Sequence, residues 1–323
     1  MVEKVKPNYP CDLHCHTTRS DGNDTPGQLI NIASSMGLKA IAITDHDINP
    51  PLTLQENNQT LDIKTFSRSR GLELVLGYEF SCDSHVDDVH IIGYELDWDS
   101  PLVKEVVVQA RESKASAYKK LCEILTKNGM SICYEDEILS YEDGQGNQRS
   151  RSPYDVQRKQ IFELMAKKGY ASSWDKAKLM VRDNPKLNIG REKINPLKAI
   201  EIIKKCGGLA VLAHPYLIDE EVDSRIIGRM SRDSYINNLI DSGLDGIESC
   251  YTYSKTTYKG DKPDEEIKKE IEDKYNGKVK FFTGGSDYHN DGKKGVVNPR
   301  YLGEAGIDLE EFEIFLKSIG NKK

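Results

Sequence analysis

Apolar and polar positions along this chain follow two rhythms in turn. Cys11–His16 reads as a short strand ending in polar turn residues. Pro26 opens a helix that runs through Met36, and Gly37 closes it. Lys39–Thr44 is β-branched and largely apolar, a strand signature. A helix is expected within residues 50–70, stopped by Gly71, with further strands at Leu72–Leu76 and Val89–Tyr94.

From about Trp98 to Asn195 the chain becomes charged and helix-like. Val103–Lys127 and Asp155–Lys168 carry apolar residues at spacings of three and four, and Tyr141–Pro153 between them reads as a polar loop. The strand–helix rhythm then resumes. Helices are expected at Pro196–Cys206, Ser231–Ser242, Asp264–Tyr275 and Leu309–Ile319, with strands at Leu209–Ala213, Leu244–Glu248 and Val279–Thr283.

Repeated strand–helix units predict a mainly parallel sheet. The polar residues of interest follow strand after strand, which is how active sites of α/β barrels are built. A closed or distorted α/β barrel is therefore expected, formed by residues 1–97 and 196–323. Residues 98–195 are too many for a loop, since ordinary connections have about 4–6 residues. They are expected to form a helical insertion subdomain packed over the active site.

Histidine placement changes the picture from fold to chemistry. Six of the seven histidines lie in short polar clusters: Cys-Asp-Leu-His14-Cys-His16, Thr-Asp-His46-Asp, His90-Ile-Ile-Gly-Tyr, Ala-His214-Pro and Ser-Asp287-Tyr-His289. Asp21 and Glu79 fall in the same positional pattern. Imidazole and carboxylate are ligands for zinc, manganese and iron. Singly, each residue has an ordinary explanation as a buried polar group, a turn residue or a surface acid. As a set at strand ends they point to a site for more than one metal. Glu79 is placed to bridge two cations about 4 Å apart, and Asp45 or Asp47 to orient His46. Gly284-Gly285 marks a close backbone approach, and His85 reads as exposed and non-ligating.

Composition narrows the alternatives. A net charge of −7 argues against long nucleic acid as the main ligand, but not against a small phosphorylated molecule. The first six residues contain no apolar run and no stretch approaches a membrane span. Seven scattered cysteines read as free thiols. A cytoplasmic protein with no membrane partner is expected, its oligomeric state open.

The ordered series His-x-His, Ser-Asp-Gly, Thr-Asp-His, Glu, His, Ala-His-Pro and Ser-Asp-x-His resembles the PHP (polymerase and histidinol phosphatase) family, in its small stand-alone bacterial form. The resemblance runs from Cys11 to His289. It implies a distorted (β/α)7 TIM-like barrel with a helical insertion, and two to three divalent ions, manganese first, iron or zinc otherwise. It implies that His14, His16, Glu79 and Asp287 hold one ion. Glu79, His90 and His214 would hold a second, and Asp21, His46 and His289 a third. Similar proteins carry Gly-Arg-Pro-His where this chain has Gly190-Arg191-Glu192-Lys193. That departure bears on substrate identity.

The expected activity is hydrolysis of a phosphate ester by metal-activated hydroxide, on a nucleotide, a nucleoside 3′,5′-bisphosphate or a cyclic sugar phosphate. Asp287 and His214 are the catalytic candidates, His214 for protonating the leaving group. Arg19, Arg191, Arg149 and Arg151 are candidates for holding phosphate, because guanidinium suits bidentate phosphate contacts. Alternatives are a 5′–3′ exonuclease on short RNA or DNA, a histidinol-phosphate phosphatase, and a non-catalytic metal-binding regulatory module.

Overall fold

A computed structural model describes residues 6–320, apart from 57, 144, 188 and 295. The opening residues 1–5, read above for a leader, lie outside the described residues.

Seven strands form one sheet in chain order: β1 (Cys11–Cys15), β2 (Ala40–Ile43), β3 (Glu73–Ser81), β4 (His90–Tyr94), β5 (Leu209–Leu212), β6 (Gly246–Cys250) and β7 (Phe281–Gly284). Bridges from Cys11 to Ile307 and from Cys15 to Tyr288 tie β1 to the chain just past β7. The sheet thus curls into a nearly closed (β/α)7 barrel. It is mainly parallel, as expected, with one exception. β4 runs antiparallel to both β3 and β5. Its first residue, His90, therefore lies at the end of the barrel where the parallel strands finish.

Local chemistry sets the element ends. Helix α1 (Pro26–Met36) begins with a capping box: Thr25 accepts from the Gln28 amide and Gln28 accepts from the Thr25 amide. Such a cap contributes about 1 kcal/mol. Gly37, at φ 87°, ends it in the left-handed conformation. Helix α2 is only Ile63–Arg68, and it follows an antiparallel hairpin of Thr53–Glu56 with Gln59–Asp62. The helix expected within residues 50–70 is therefore present but short, since the hairpin, with Asn58 at φ 61°, takes up the first part of that stretch.

The barrel interior is filled by residues such as Leu13, Ala42, Val75, Ile92, Val211 and Phe281. Phe312 and Phe315 of the closing helix (Leu309–Gly320) join them, with Phe315 edge-on to Tyr94 and Phe281. Helix Pro196–Lys205, started by Asn195 and Pro196, packs Ile200 and Ile203 into a second cluster with Ile91 and Leu212.

The chain divides into two compact units. One is Met1–Val107 with Ile194–Lys323; the other is Val108–Lys193. The second unit has its own core, including Leu125, Ile138, Phe162, Met165 and Val181. It holds most of a long helix, Pro101–Lys127, together with helices Arg158–Lys167 and Trp174–Arg182. Its polar stretch, expected as a loop, contains a short hairpin pairing Ser140–Glu142 with Gln148–Ser150.

Among the described residues no helix is long and apolar enough to cross a membrane. All seven cysteines are free.

Candidate metal centre

Glu79 lies near the end of β3, fully buried, and is the hub of the site. Its Oε2 is 3.2 Å from His14 Nε2, 3.1 Å from His16 Nε2 and 3.1 Å from His46 Nδ1. Its Oε1 is 2.8 Å from His90 Nδ1 and 3.4 Å from His214 Nε2. The two oxygens of one carboxylate thus face two different sets of imidazoles. Asp287 Oδ1 joins the first set, 3.0 Å from His16 Nε2 and 3.6 Å from His14 Nε2. Beyond His16, His289 Nε2 lies 3.0 Å from Asp21 Oδ1. All nine ligand candidates come together at one end of the barrel.

The donors form three overlapping groups, each with ligand atoms within 4.8 Å of one another: His16, Asp21, His46 and His289; His14, His16 and Glu79; His46, Glu79 and His90. Burial is graded. His14, His16 and Glu79 are buried, whereas the side chains of His46 and Asp21 are 25 % and 49 % exposed. The centre therefore has a closed floor and an open rim. His85, by contrast, is exposed.

Several observations fit this donor set to divalent cations. His16 Nε2 and His46 Nδ1 are buried without a hydrogen-bond partner, although carboxylate oxygens stand nearby. Buried polar atoms normally have partners, and metal ligation is one way to satisfy them. His289 Nδ1 lies 2.8 Å from the Asp287 carbonyl and 3.2 Å from Arg300 Nη2. A carbonyl only accepts and a guanidinium only donates, so both cannot be bonded at once. The shorter contact assigns the proton to Nδ1 and leaves the Nε2 lone pair toward Asp21, the tautomer a metal ligand needs.

The electrostatics agree. Burial works against charge on Glu79, but His46, His14 and His90 outweigh it and hold the carboxyl well below its usual range. At Asp287 burial is likewise overcome, first by Arg300 and then by His289 and His14. Both groups are therefore anionic at neutral pH, as candidate ligands of a cation should be. Burial opposes an imidazolium at His16, but Asp287 and Glu79 prevail and raise it to about 10. Burial wins at His46, lowering it to about 4 against the pull of Glu79. Positive charge is drawn to the floor of the site, the same field that retains a cation.

Backbone strain concentrates here too. His214 at φ 29° and Asp287 at φ 51° both have positive φ without being glycine. Such residues persist where the surroundings over-determine them, often at functional sites. Gly285 makes the close approach foreseen for it, since a Cβ there would lie 2.3 Å from His14 Cβ.

Supporting residues absent from the sequence reading also appear. Glu248 on β6 lies 3.1 Å from His14 Nδ1 and accepts from the His214 amide at 2.8 Å. Arg300 pairs with Asp287 and Asp291, and the Tyr251 hydroxyl donates to Asp287 Oδ2 at 2.7 Å. Glu248 had one available signal, as a carboxylate inside the apolar strand Gly-Ile-Glu-Ser-Cys. Arg300 had none. The acids beside His46 have other attachments: Asp45 accepts from Thr17 and Ser20, and Asp47 from Ser81. These bonds join neighbouring loops.

The four candidate arginines are divided between the two units. Arg19 is exposed, donating to the Asn49 carbonyl. Arg149 pairs with Asp143 and Arg151 lies over the Tyr141 ring, both in the unit Val108–Lys193, where Arg191 also lies.

The barrel, with its histidine and carboxylate centre at the strand ends, defines an α/β metal-centre protein. The chain matches the PHP domain family over residues 12–200 and belongs to it. It is 31 % identical over 213 residues to the 5′–3′ exoribonuclease Rnm of Escherichia coli, covering 63 % of this chain and 64 % of that protein. It is 24 % identical over 294 residues to the phosphoribosyl 1,2-cyclic phosphate 1,2-diphosphodiesterase of Eggerthella lenta, covering 88 % of this chain and 95 % of that one. A candidate metal-dependent phosphoesterase from Bifidobacterium adolescentis shares the fold, with a TM-score of 0.69 and 24 % identity over 97 % of each chain.

Proposed function

We propose that this protein is a metal-dependent phosphoesterase acting on a small phosphorylated substrate: a nucleotide, a nucleoside 3′,5′-bisphosphate or a cyclic sugar phosphate. The observation that carries this reading is the division of Glu79, whose two oxygens face separate imidazole sets. A carboxylate so placed is suited to bridging two cations. Bound divalent ions lower the pKa of water toward about 7 and neutralise charge on phosphoryl oxygens.

His14, His16, Glu79 and Asp287 would hold one ion; Glu79, His90 and His214 a second; Asp21, His46 and His289 a third. Manganese is the first candidate, with iron or zinc as the others. Asp287 is fixed in orientation by Tyr251 and Arg300, so a fixed oxygen faces the centre. His214 is the candidate for delivering a proton to the leaving group. Arg19 sits two residues from Asp21 and is the candidate for phosphate on the exposed rim; Arg149, Arg151 and Arg191 are the candidates from the insertion. The named activity of the E. lenta relative supports the cyclic phosphate option.

A second reading, 5′–3′ exonuclease action on short RNA, is favoured by the name of the E. coli relative. One experiment separates them. Phosphate release after manganese loading is measured on nucleoside bisphosphates, nucleoside monophosphates, ribose cyclic phosphates, histidinol phosphate and short oligonucleotides, with His16→Asn as control. Turnover of a small ester, lost in the variant, supports the first reading, and turnover of oligonucleotides alone the second. Silence on every ester with metal demonstrably bound defeats both.

A further inference from the structure

The unit Val108–Lys193 is charged opposite to the rest of the chain. It contains 17 lysines and arginines against 12 aspartates and glutamates, a surplus of +5 in a chain of net −7, which leaves −12 for the remainder. In the rest of the chain Arg70 pairs with Glu56 and Arg300 with Asp287, while Arg232 lies over the Tyr216 ring. Three arginines of this unit are placed as Arg232 is. Among the described residues Arg111, Arg151 and Arg158 have no carboxylate partner, and each lies over an aromatic ring: Tyr154 at 4.8 Å, Tyr141 at 3.9 Å and Phe162 at 5.6 Å respectively. Nε of Arg151 and of Arg158 is buried with no acceptor. Both residues are otherwise half-buried, and a bound anion at their Nη groups would add the negative charge that no carboxylate supplies.

These groups share one neighbourhood. Arg111 and Lys114 are one helical turn apart, on one face of the helix Pro101–Lys127. Arg111 covers Tyr154, and Lys114 donates to Gln157 Oε1 at 3.4 Å. That helix face therefore lies on the segment 151–158, which carries the other two arginines. Tyr154 is 41 % exposed, so part of its side chain beside Arg111 is accessible to a partner.

We propose that this face of the insertion binds a short stretch of single-stranded nucleic acid. Its phosphates would meet the unpaired guanidiniums, and its bases would stack on the arginine–tyrosine planes. Duplex bases are already stacked and do not present their faces. The −12 carried by the rest of the chain opposes an extended polyanion, so the occupant is short. As a statement about substrate this rests on the phosphoesterase reading; as a statement about binding it is tested apart from it.

The test is fluorescence anisotropy of the full-length protein with a labelled RNA of about eight nucleotides, in chelator so that nothing is cleaved. Saturable binding is expected at about 50 mM salt, falling with salt by about 0.7 log units per log unit for each phosphate engaged. Arg111→Gln should weaken it at least about fivefold, the lower end of one lost stacking contact. Arg111→Lys, which keeps the charge but not the plane, should restore only part. Lys317→Ala, on the closing helix, should change nothing. Unfolding midpoints of all variants exclude misfolding as the cause. The proposal is overturned by absence of binding, by equal weakening in Lys317→Ala, or by equal affinity for a duplex or an abasic phosphate chain. RNA binding without phosphate release from any ester leaves it standing and counts against the phosphoesterase reading. Hydrolysis of small esters without RNA binding does the reverse.

Discussion

Glu248 Oε1 lies 3.1 Å from His14 Nδ1, while Oε2 of the same carboxylate accepts from the His214 amide. One buried side chain on β6 thus holds two candidate ligands, one on β1 and one just past the end of β5. By accepting from Nδ1 it directs His14 Nε2 toward Glu79 and Asp287. Partners of this kind typically contribute 10–100-fold to metal affinity or activity. In Glu248→Gln the amide NH2 must face either the His214 amide or the His14 Nδ1 proton, donor against donor. A loss of about 10–100-fold is expected in metal retained after dialysis and in manganese-dependent turnover. Full retention of both would show that Glu248 has no such role.

Glu79→Gln removes the charge that both imidazole sets face. Breaking a buried charge pair from one side costs about 3–5 kcal/mol, so bound metal should fall by at least one ion per chain. Thermal unfolding reads the same event without an assay of activity. Manganese at a hundredfold excess over its dissociation constant stabilises a folded protein by about 2.7 kcal/mol. The wild type should show that rise in midpoint and lose it in chelator, whereas Glu79→Gln should respond little to either. Equal manganese shifts in the two proteins would remove Glu79 from the centre.

Gly285→Ala would place a methyl 2.3 Å from His14 Cβ and 2.5 Å from the His14 amide nitrogen. Backbone cannot yield as a flexible side chain does. A destabilisation of about 1–3 kcal/mol is expected, with reduced metal content because His14 is displaced. Denaturant unfolding and metal analysis check both. Gly37→Ala, strained at φ 87° but with no candidate ligand within 4 Å of the added methyl, should lower stability while leaving metal content intact.

Glu270 anchors the chain beside the centre. It accepts from Tyr216, two residues past His214, at 2.6 Å and pairs with Lys262. Burial works against its charge, but Lys262 and Tyr216 prevail and lower its pKa to about 2. A carboxyl held lower in the folded than in the unfolded state stabilises the fold above the unfolded pKa of about 4.3. That contribution fades as pH falls from there toward 2. Being partly exposed, the group contributes about 1–2 kcal/mol. Glu270→Gln should lower stability at pH 7 by that amount and leave a smaller difference from wild type near pH 2. A constant difference across that range would assign the loss to packing.

The sequence by itself determined the strand–helix alternation and picked out the histidines and acids that the fold brings together. Both are local signals: apolar periodicity reports one element at a time, and scarce histidines beside acids stand out wherever they occur. Tertiary structure decided the rest. The reversed direction of β4 puts His90, the first residue of its strand, beside residues that end theirs, and strand direction is set by pairing with distant partners. The hairpins at Thr53–Asp62 and Ser140–Ser150 depended on turns within polar stretches whose composition suits helix or loop equally well. Glu248 in an apolar strand has the same local signature whether it meets a lysine or a histidine, and only the closed sheet places His14 and His214 beside it. The net charge of −7 likewise concealed a basic unit within an acidic chain, because a sum carries no positions and the boundary between the units exists only once each has packed its own core.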